Sequence, residues 1–290
     1  LYGRVIHPLE HDNLANDDWY LWNGMYKKSF LEANGIRFQE SKGAAFQDIG
    51  FLHKVLTRAE KAMYIHGEPY YYCIDRDGAS SNSGRDLEYI YQEYKEIFPL
   101  KEGISRESEF FYIRCVRSFV LACRNTEDLM AFPAYEHYKW FIHIFNENAD
   151  AMDVIKISSD IREEFELLML SLDEYIRRRD IRQKSFNEFT DLTRSDPVAI
   201  FGCGNYGCKA YRTLLKHGCN VMCFFDNNRL LWGTAIDSIP IYSPKKISEC
   251  KNSVRYLVAN ERYAQEIAKQ ITNLTQNKET SIFCYCEGLF

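Results

Sequence analysis

Apolar residues recur along this chain in three different rhythms. From residue 85 to about 195 they return every third or fourth position. "LEYIYQEYKEIF", "FFYIRCVRSFVLAC", "YEHYKWFIHIF" and "IREEFELLMLSLDEYIRRRDI" each read as a helix with one buried stripe. Pro99 and Pro133 fall between these segments, where helices should break. Earlier, "DDWYLWNGMYKKSFLEANG" spaces Trp19, Trp22, Tyr26 and Phe30 as on a single helix, with Asp17 or Asp18 as a cap and Asn34-Gly35 as the stop. "KAMYIHG" and "PYYYCIDR" read as short strands, and "DGASSNSG" as a loop. After residue 195 the rhythm alternates. "DPVAIFGCGNYGCKAYRTLLKHG" is strand, glycine turn and helix, and "CNVMCFFDNN" is a second strand ending in an acid. "SVRYLVAN" and "SIFCYC" are further strands around a helical "RYAQEIAKQITNL". Such alternation predicts a parallel sheet covered by helices.

The expected fold class is therefore α/β, with three regions: a mixed segment over 1–84, an all-helical connector over 85–195, and a Rossmann-like parallel sheet domain over 196–290. At 290 residues and 46% hydrophobic, the chain is long enough to bury more than one core. A net charge of −5 gives no electrostatic reason to bind nucleic acid. The most apolar stretch carries two arginines and is too short to span a bilayer. There is no signal peptide, so the expected location is cytoplasmic, or peripheral to the inner face of a membrane. The ten cysteines include no C-x-x-C pair and read as buried reduced thiols rather than zinc ligands. Arg177, Arg178, Arg179 and Arg182 read as a solvated helix face, because acids precede them.

Candidate chemistry begins with "GCGNYG", which places Gly202, Gly204 and Gly207 in a G-x-G-x-x-G turn. It follows a strand and opens a helix, and Asp226 lies at the end of the next strand. In a mononucleotide-binding unit the first glycine allows the tight turn and the second admits a diphosphate. The third permits close helix–strand packing, and the helix N-terminus supplies positive potential. Asp226 would then accept from ribose hydroxyls, with Asn205 and Asn227 beside the nucleotide. The competing reading keeps the turn for packing alone. Around the turn, "IFGCGNYG", "FFDNN" and "WGTAIDSIPIYSP" resemble the small Rossmann-like domain found before bacterial sugar N-acetyltransferase domains and appended to some capsule-type glycosyltransferases. That resemblance implies a nucleotide or nucleotide-sugar ligand rather than a hydride cofactor.

Nearer the start, "WYLWNGMYKKSFLEANGIRFQE", "GAAFQDIGFLHKVLTRAEKAMYI" and "EPYYYCIDRDGASSNS" resemble, in that order, the acceptor-side half of family-2 glycosyltransferases with a GT-A fold. By that match Asp48 is the general base of an inverting transfer, with Gln47 where many members carry glutamate. Such a base is needed because an acceptor hydroxyl is a poor nucleophile until its proton is being removed. The same position also suits an aspartate that merely caps a helix, and both readings stay open. Trp19 and Trp22 either stack on a sugar or pack in a core. Arg76, Ser80 and Ser81 either meet a diphosphate or acceptor or form a plain turn. His53 and His66 read as surface or packing residues.

The resemblance further implies a divalent metal, Mg or Mn, held by a D-x-D motif in a donor half that should precede Leu1. Asp75-Arg76-Asp77 has the spelling but the wrong place in the order, so the metal ligands are expected to lie outside this chain. The partners implied are a nucleotide-sugar donor and a glycan or lipid-linked acceptor, as in surface polysaccharide synthesis. The chain is expected to be the C-terminal part of such an enzyme, inactive alone. The alternatives are a non-catalytic nucleotide-binding module and, on the glycine motif only, an NAD-dependent oxidoreductase.

Overall fold

The computed structural model describes residues 2–11, 14, 21–40, 46–66, 86–98, 105–251, 253–260, 263–276 and 281–284. The chain forms a mixed α/β structure of two compact units, Leu1–Tyr175 and Ile176–Phe290.

In the first unit, β1 (Val5–Ile6) is followed by α1 (Lys28–Ala33), α2 (Gln47–Arg58) and β2 (Ala62–Met63). β2 returns antiparallel to β1, pairing Val5 with Met63 and Ile6 with Ala62. The single helix expected through Trp22, Tyr26 and Phe30 is not formed. A 3₁₀ turn over Leu21–Asn23 ends before Gly24, and regular helix starts only at Lys28. The break has a local cause: the Tyr26 hydroxyl donates to the Leu21 carbonyl at 3.2 Å, folding the ring back over Gly24. A Cβ on Gly24 would lie 2.5 Å from that hydroxyl, so the glycine makes room for the ring. Tyr26 and Phe30 then pack on Ile36, Phe51, Leu52 and Val55. Asn34 ends α1 as foreseen, and Gly35 takes a left-handed φ of 60°. "PYYYCIDR" and "DGASSNSG" lie outside the described residues.

The helical stretch continues with α3 (Asp86–Ile97), α4 (Arg106–Asn125), α5 (Ala134–Glu147), α6 (Ala149–Val154), α7 (Ser159–Leu170) and α8 (Leu172–Leu192). α4 opens on a reciprocal cap: Ser105 Oγ accepts from Ser108 N–H, and Ser108 Oγ accepts from Ser105 N–H. Pro133 occupies the N-cap of α5. The last helical segment divides in two. Ser171 is extended, and its hydroxyl accepts from Glu174 N–H at 3.2 Å, so it ends one helix and caps the next. α8 carries the chain into the second unit.

The core of the first unit is aromatic. Phe111, on α4, is fully buried and meets His53, Tyr94, Phe98 and Tyr112 edge-on at centroid distances of 5.2–5.8 Å. His53 is thus a packing residue, while His66 is exposed and stacks on Tyr2. A bidentate ion pair from Arg124 to Glu164, both bonds 3.0 Å, ties α4 to α7.

The second unit contains β3 (Val198–Phe201), α9 (Asn205–Lys216), β4 (Val221–Phe225), β5 (Ala235–Ile236), β6 (Ile239–Tyr242), β7 (Arg255–Val258), α10 (Ala264–Leu274) and β8 (Ile282–Cys284). The sheet order is β5-β6-β4-β3-β7-β8. All neighbours are parallel except the β5–β6 hairpin at the edge, which turns through Asp237 and Ser238, both with positive φ. β3 is buried on both faces, which explains its unbroken apolar run. Val198, Ile200 and Phe224 face α9 and the Phe186 and Phe189 rings of α8. Ala199, Phe201 and Phe225 face α10 and a 3₁₀ turn over Pro244–Glu249. Among the described residues no helix is long and apolar enough to cross a membrane.

Phe111→Ala should lower the stability of the first unit by about 3–5 kcal/mol, the usual cost of emptying a buried phenyl site. Urea unfolding followed by circular dichroism measures this, and a loss under about 1 kcal/mol would contradict the central place given to that ring.

Candidate functional site

β3 and β7 are neighbours, yet the chain leaves β3 toward β4 on the other side. The crevice at their carboxyl ends is the switch point of the sheet, the place where α/β folds of this type receive ligands. The three glycines meet there with three different surroundings. Gly202 takes φ 109° as the chain turns off β3, and its N–H donates to the Phe225 carbonyl at 2.8 Å. A Cβ on it would lie 2.9 Å from the Ala259 carbonyl oxygen. Gly207 sits in the first turn of α9, where a Cβ would lie 2.0 Å from the Gly202 carbonyl oxygen. Both are required by the fold itself.

Gly204 is different. It is the N-cap of α9 at φ −76°, a conformation open to any residue, and among the described residues a Cβ there would meet nothing within 4 Å beyond its two chain neighbours. No internal contact accounts for its missing side chain. Gly204 offers no side-chain cap to α9 and is itself exposed, at the positive end of the helix.

Asp226 stands beside the turn. Its Oδ2 accepts from Cys203 N–H at 2.9 Å and its Oδ1 from Asn228 N–H at 2.7 Å, so the carboxylate joins the glycine turn to the loop after β4. Trp232 Nε1 donates to the Asp226 carbonyl at 2.8 Å, and the Asn228 side chain accepts from Leu230 N–H. Both residues fall in the quoted stretches "FFDNN" and "WGTAIDSIPIYSP", but neither is among the nucleotide-binding residues nominated from the sequence. Asn227 exchanges two amide hydrogen bonds with Gln270 of α10, at 3.1 and 3.3 Å. Burial, then the Asp226 carboxylate, push the Cys203 thiol up to about 12, so it stays protonated and unreactive. The side chain of Asn205 is outside what is described.

The first unit holds the other candidate. α2 begins at Gln47, and Asp48 is its second residue, half-buried, rather than its N-cap. The N-cap position is Phe46, at a left-handed φ of 62° and with no side-chain cap. Glu93 of α3 reaches the same turn: its Oε2 accepts the Gly50 N–H at 3.3 Å, and a Cβ on Gly50 would lie only 2.7 Å from that oxygen. Gln39, with its amide nitrogen turned inward, donates to Glu93 Oε1 at 3.1 Å and Glu96 Oε2 at 3.3 Å, and Glu96 pairs with Lys54. Two carboxyl groups, Asp48 and Glu93, thus share the first turn of one helix.

Burial raises the pKa of both. For Asp48 it outweighs bonds from the N–H groups of Asp48 and Ile49 and the attraction of Arg114, which all lower it. Glu93, only 1% exposed, is pushed up to about 7 by burial, with Glu96 and Asp48 adding to the rise and the Gly50 bond and Lys54 opposing it. The helix dipole therefore does not dominate at Asp48. Gln47 and Trp22 are half-buried, Trp22 in the 3₁₀ turn described above. Trp19, Arg76, Ser80 and Ser81 lie outside the described residues. Among the described residues no three or more His, Cys, Asp or Glu side chains gather as a metal site.

A family model described as C2185-like, N-terminal, matches residues 194–282, the span of the sheet in the second unit. Among solved structures, that of RSP in complex with beta-NADH is 19% identical with a TM-score of 0.28, covering 56% of this chain and 82% of that one. RSP described as a Rex-family repressor is 18% identical with a TM-score of 0.27, covering 55% and 89%. Likeness of that degree carries nothing about ligands. No curated protein matches the chain.

The Glu93 carboxyl makes a directional prediction. Its folded pKa of about 7 exceeds the ordinary 4.5, so the folded state holds the extra proton between these values. Its contribution to stability is full below pH 4.5 and is lost as pH rises through 7. Glu93→Gln should remove that loss. Urea unfolding free energies of variant and parent, compared at pH 5 and pH 8, should diverge by on the order of 2–3 kcal/mol in the variant's favour at the higher pH. Parallel pH profiles would contradict the buried, proton-holding carboxyl.

Proposed function

We propose that the second unit is a nucleotide-binding module whose ligand rests a diphosphate on the N-terminus of α9. The observation that carries this reading is Gly204. Its two companion glycines are demanded by backbone conformation or by atoms under 3 Å away, and it is demanded by neither. A missing side chain with no internal use, at an open helix N-terminus beside the switch point, fits a group brought from outside. Asp226 keeps lone pairs beyond its two backbone bonds, and in this reading they accept from a ribose hydroxyl. The residues suit a nucleoside diphosphate, the part shared by nucleotide sugars and dinucleotides. The C-terminal resemblance favours a nucleotide sugar.

The test is calorimetric titration of the chain with UDP-glucose, UDP-N-acetylglucosamine and NADH. Gly204→Ala should leave the thermal midpoint unchanged and weaken nucleotide binding about tenfold or more, because the methyl occupies the phosphate's approach. Gly207→Ala should instead disrupt the unit, since its Cβ would collide with backbone. Absence of binding to all three ligands, or equal affinity in the Gly204→Ala variant, overturns the reading. NADH binding alone would direct it to a dinucleotide.

A second reading concerns the first unit: the acceptor side of an inverting glycosyltransferase, with Asp48 as base, a nucleotide-sugar donor and a glycan or lipid-linked acceptor. What favours it is a half-buried carboxylate with a raised pKa, a better proton acceptor than an exposed aspartate. In a longer chain that carries a donor-binding half and its divalent metal, Asp48→Asn should cut sugar transfer by at least about a hundredfold with the fold intact. Near-normal turnover would leave Asp48 as a helix-terminus residue.

A further inference from the structure

The helical part of the first unit contains a cleft that neither reading uses. It is an open cavity of about 450 Å³ between α3 and the start of α5, within the size range of small-ligand sites. Its walls are Tyr91, Phe132, Glu136, His137, Lys139 and Trp140. Aromatic residues and hydrogen-bonding groups thus both line it.

The aromatic side is held rigidly. Trp140 is braced edge-on by Tyr91, Phe98 and Phe141 at centroid distances of 5.2, 6.0 and 5.0 Å. Tyr91 stacks on His137 at 4.2 Å. Phe132, beside the Pro133 N-cap of α5, is 85% exposed, an uncommon place for a phenyl ring that the core does not need. The polar side carries an exposed ion pair. Lys139 Nζ lies 2.7 Å from Glu136 Oε1 and 5.0 Å from the Tyr135 ring centroid.

We infer that this cleft binds carbohydrate, taking one pyranose ring with its C–H face against Phe132 and Trp140. The decisive feature is the Glu136–Lys139 pair. Glu136 only accepts and Lys139 only donates. Side by side, they match two adjacent hydroxyls, one donating a hydrogen bond to the carboxylate and the other accepting one from the ammonium. A proline-rich peptide, the other ligand aromatic grooves often take, presents chiefly carbonyl acceptors and would leave Glu136 unmatched. The inference stands apart from both proposed activities, since it uses neither the α9 turn nor Asp48.

The test follows the tryptophan indole N–H signals of the whole chain by NMR, Trp140 being assigned with W140F. Methyl β-glucoside, cellobiose, maltose and diacetylchitobiose are added in turn, and then octaproline. At least one sugar should move the Trp140 signal saturably, with a dissociation constant on the order of 1 mM, as suits a shallow open site. Phe132→Ala and Glu136→Gln should each weaken that binding about fivefold or more without lowering the thermal midpoint, because both side chains are exposed. No saturable shift with any of the four sugars, a shift with octaproline alone, or full binding in Phe132→Ala overturns the inference.

Discussion

The second unit depends on one close approach. The first turn of α9 lies so near the carbonyl of Gly202 that only hydrogen fits on Gly207 between them. This contact sets the height of α9 over the sheet, and with it the packing of Ala210, Tyr211 and Leu214 on β3 and β4. It also sets the direction in which the helix N-terminus points. A helix lifted by one methyl group would lose part of that interface and would no longer aim its N-terminus at the crevice.

The first unit uses a missing side chain for a related purpose. Gly50 leaves room for the Glu93 carboxyl to reach the backbone of α2, whose own N-cap residue has nothing to offer. Burying a carboxyl group is costly unless it is hydrogen-bonded or neutral. Glu93 has both remedies, bonds from Gly50 and Gln39 and a pKa that lets it hold its proton near neutrality. Asp48 therefore shares its helix terminus with a second carboxyl group whose charge changes near neutral pH, and the environment of any proton transfer at Asp48 depends on both.

Much of this was legible residue by residue. The glycine turn, its flanking strand and helix, and the acid at the end of the next strand are consecutive features governed by local geometry. Gly202, Gly204, Gly207 and Asp226 accordingly come together at the switch point. The roles of the glycines were harder to separate. That Gly204 has no structural use appears only from the space around it, whereas Gly202 and Gly207 are pressed by backbone from β7 and from the turn. Asp226 shows the same limit. An acid there could be expected, but its two backbone bonds to Cys203 and Asn228 depend on how the loops meet.

By itself the sequence determined what short-range periodicity can encode: the amphipathic helices from α3 onward, the parallel strands, and the caps at Asn34 and the β3–α9 turn. The tertiary structure alone decided what depends on partners far along the chain. The helix expected through Trp22 and Phe30 is broken locally by the Tyr26–Leu21 bond, and the broken form is held where Tyr26 and Phe30 pack on Phe51, Leu52 and Val55, because tertiary packing outweighs helix propensity worth only tenths of a kilocalorie per residue. Glu93 looks like an ordinary helical acid, although it falls on the apolar stripe three residues after Ile90, and only the fold brings it to Gly50, 43 positions away. The aromatic cleft likewise joins Tyr91 to Phe132 and Trp140 across more than forty residues. Such pairings are set by which helix faces pack together, and that information lies in the assembled core rather than in any local run of residues.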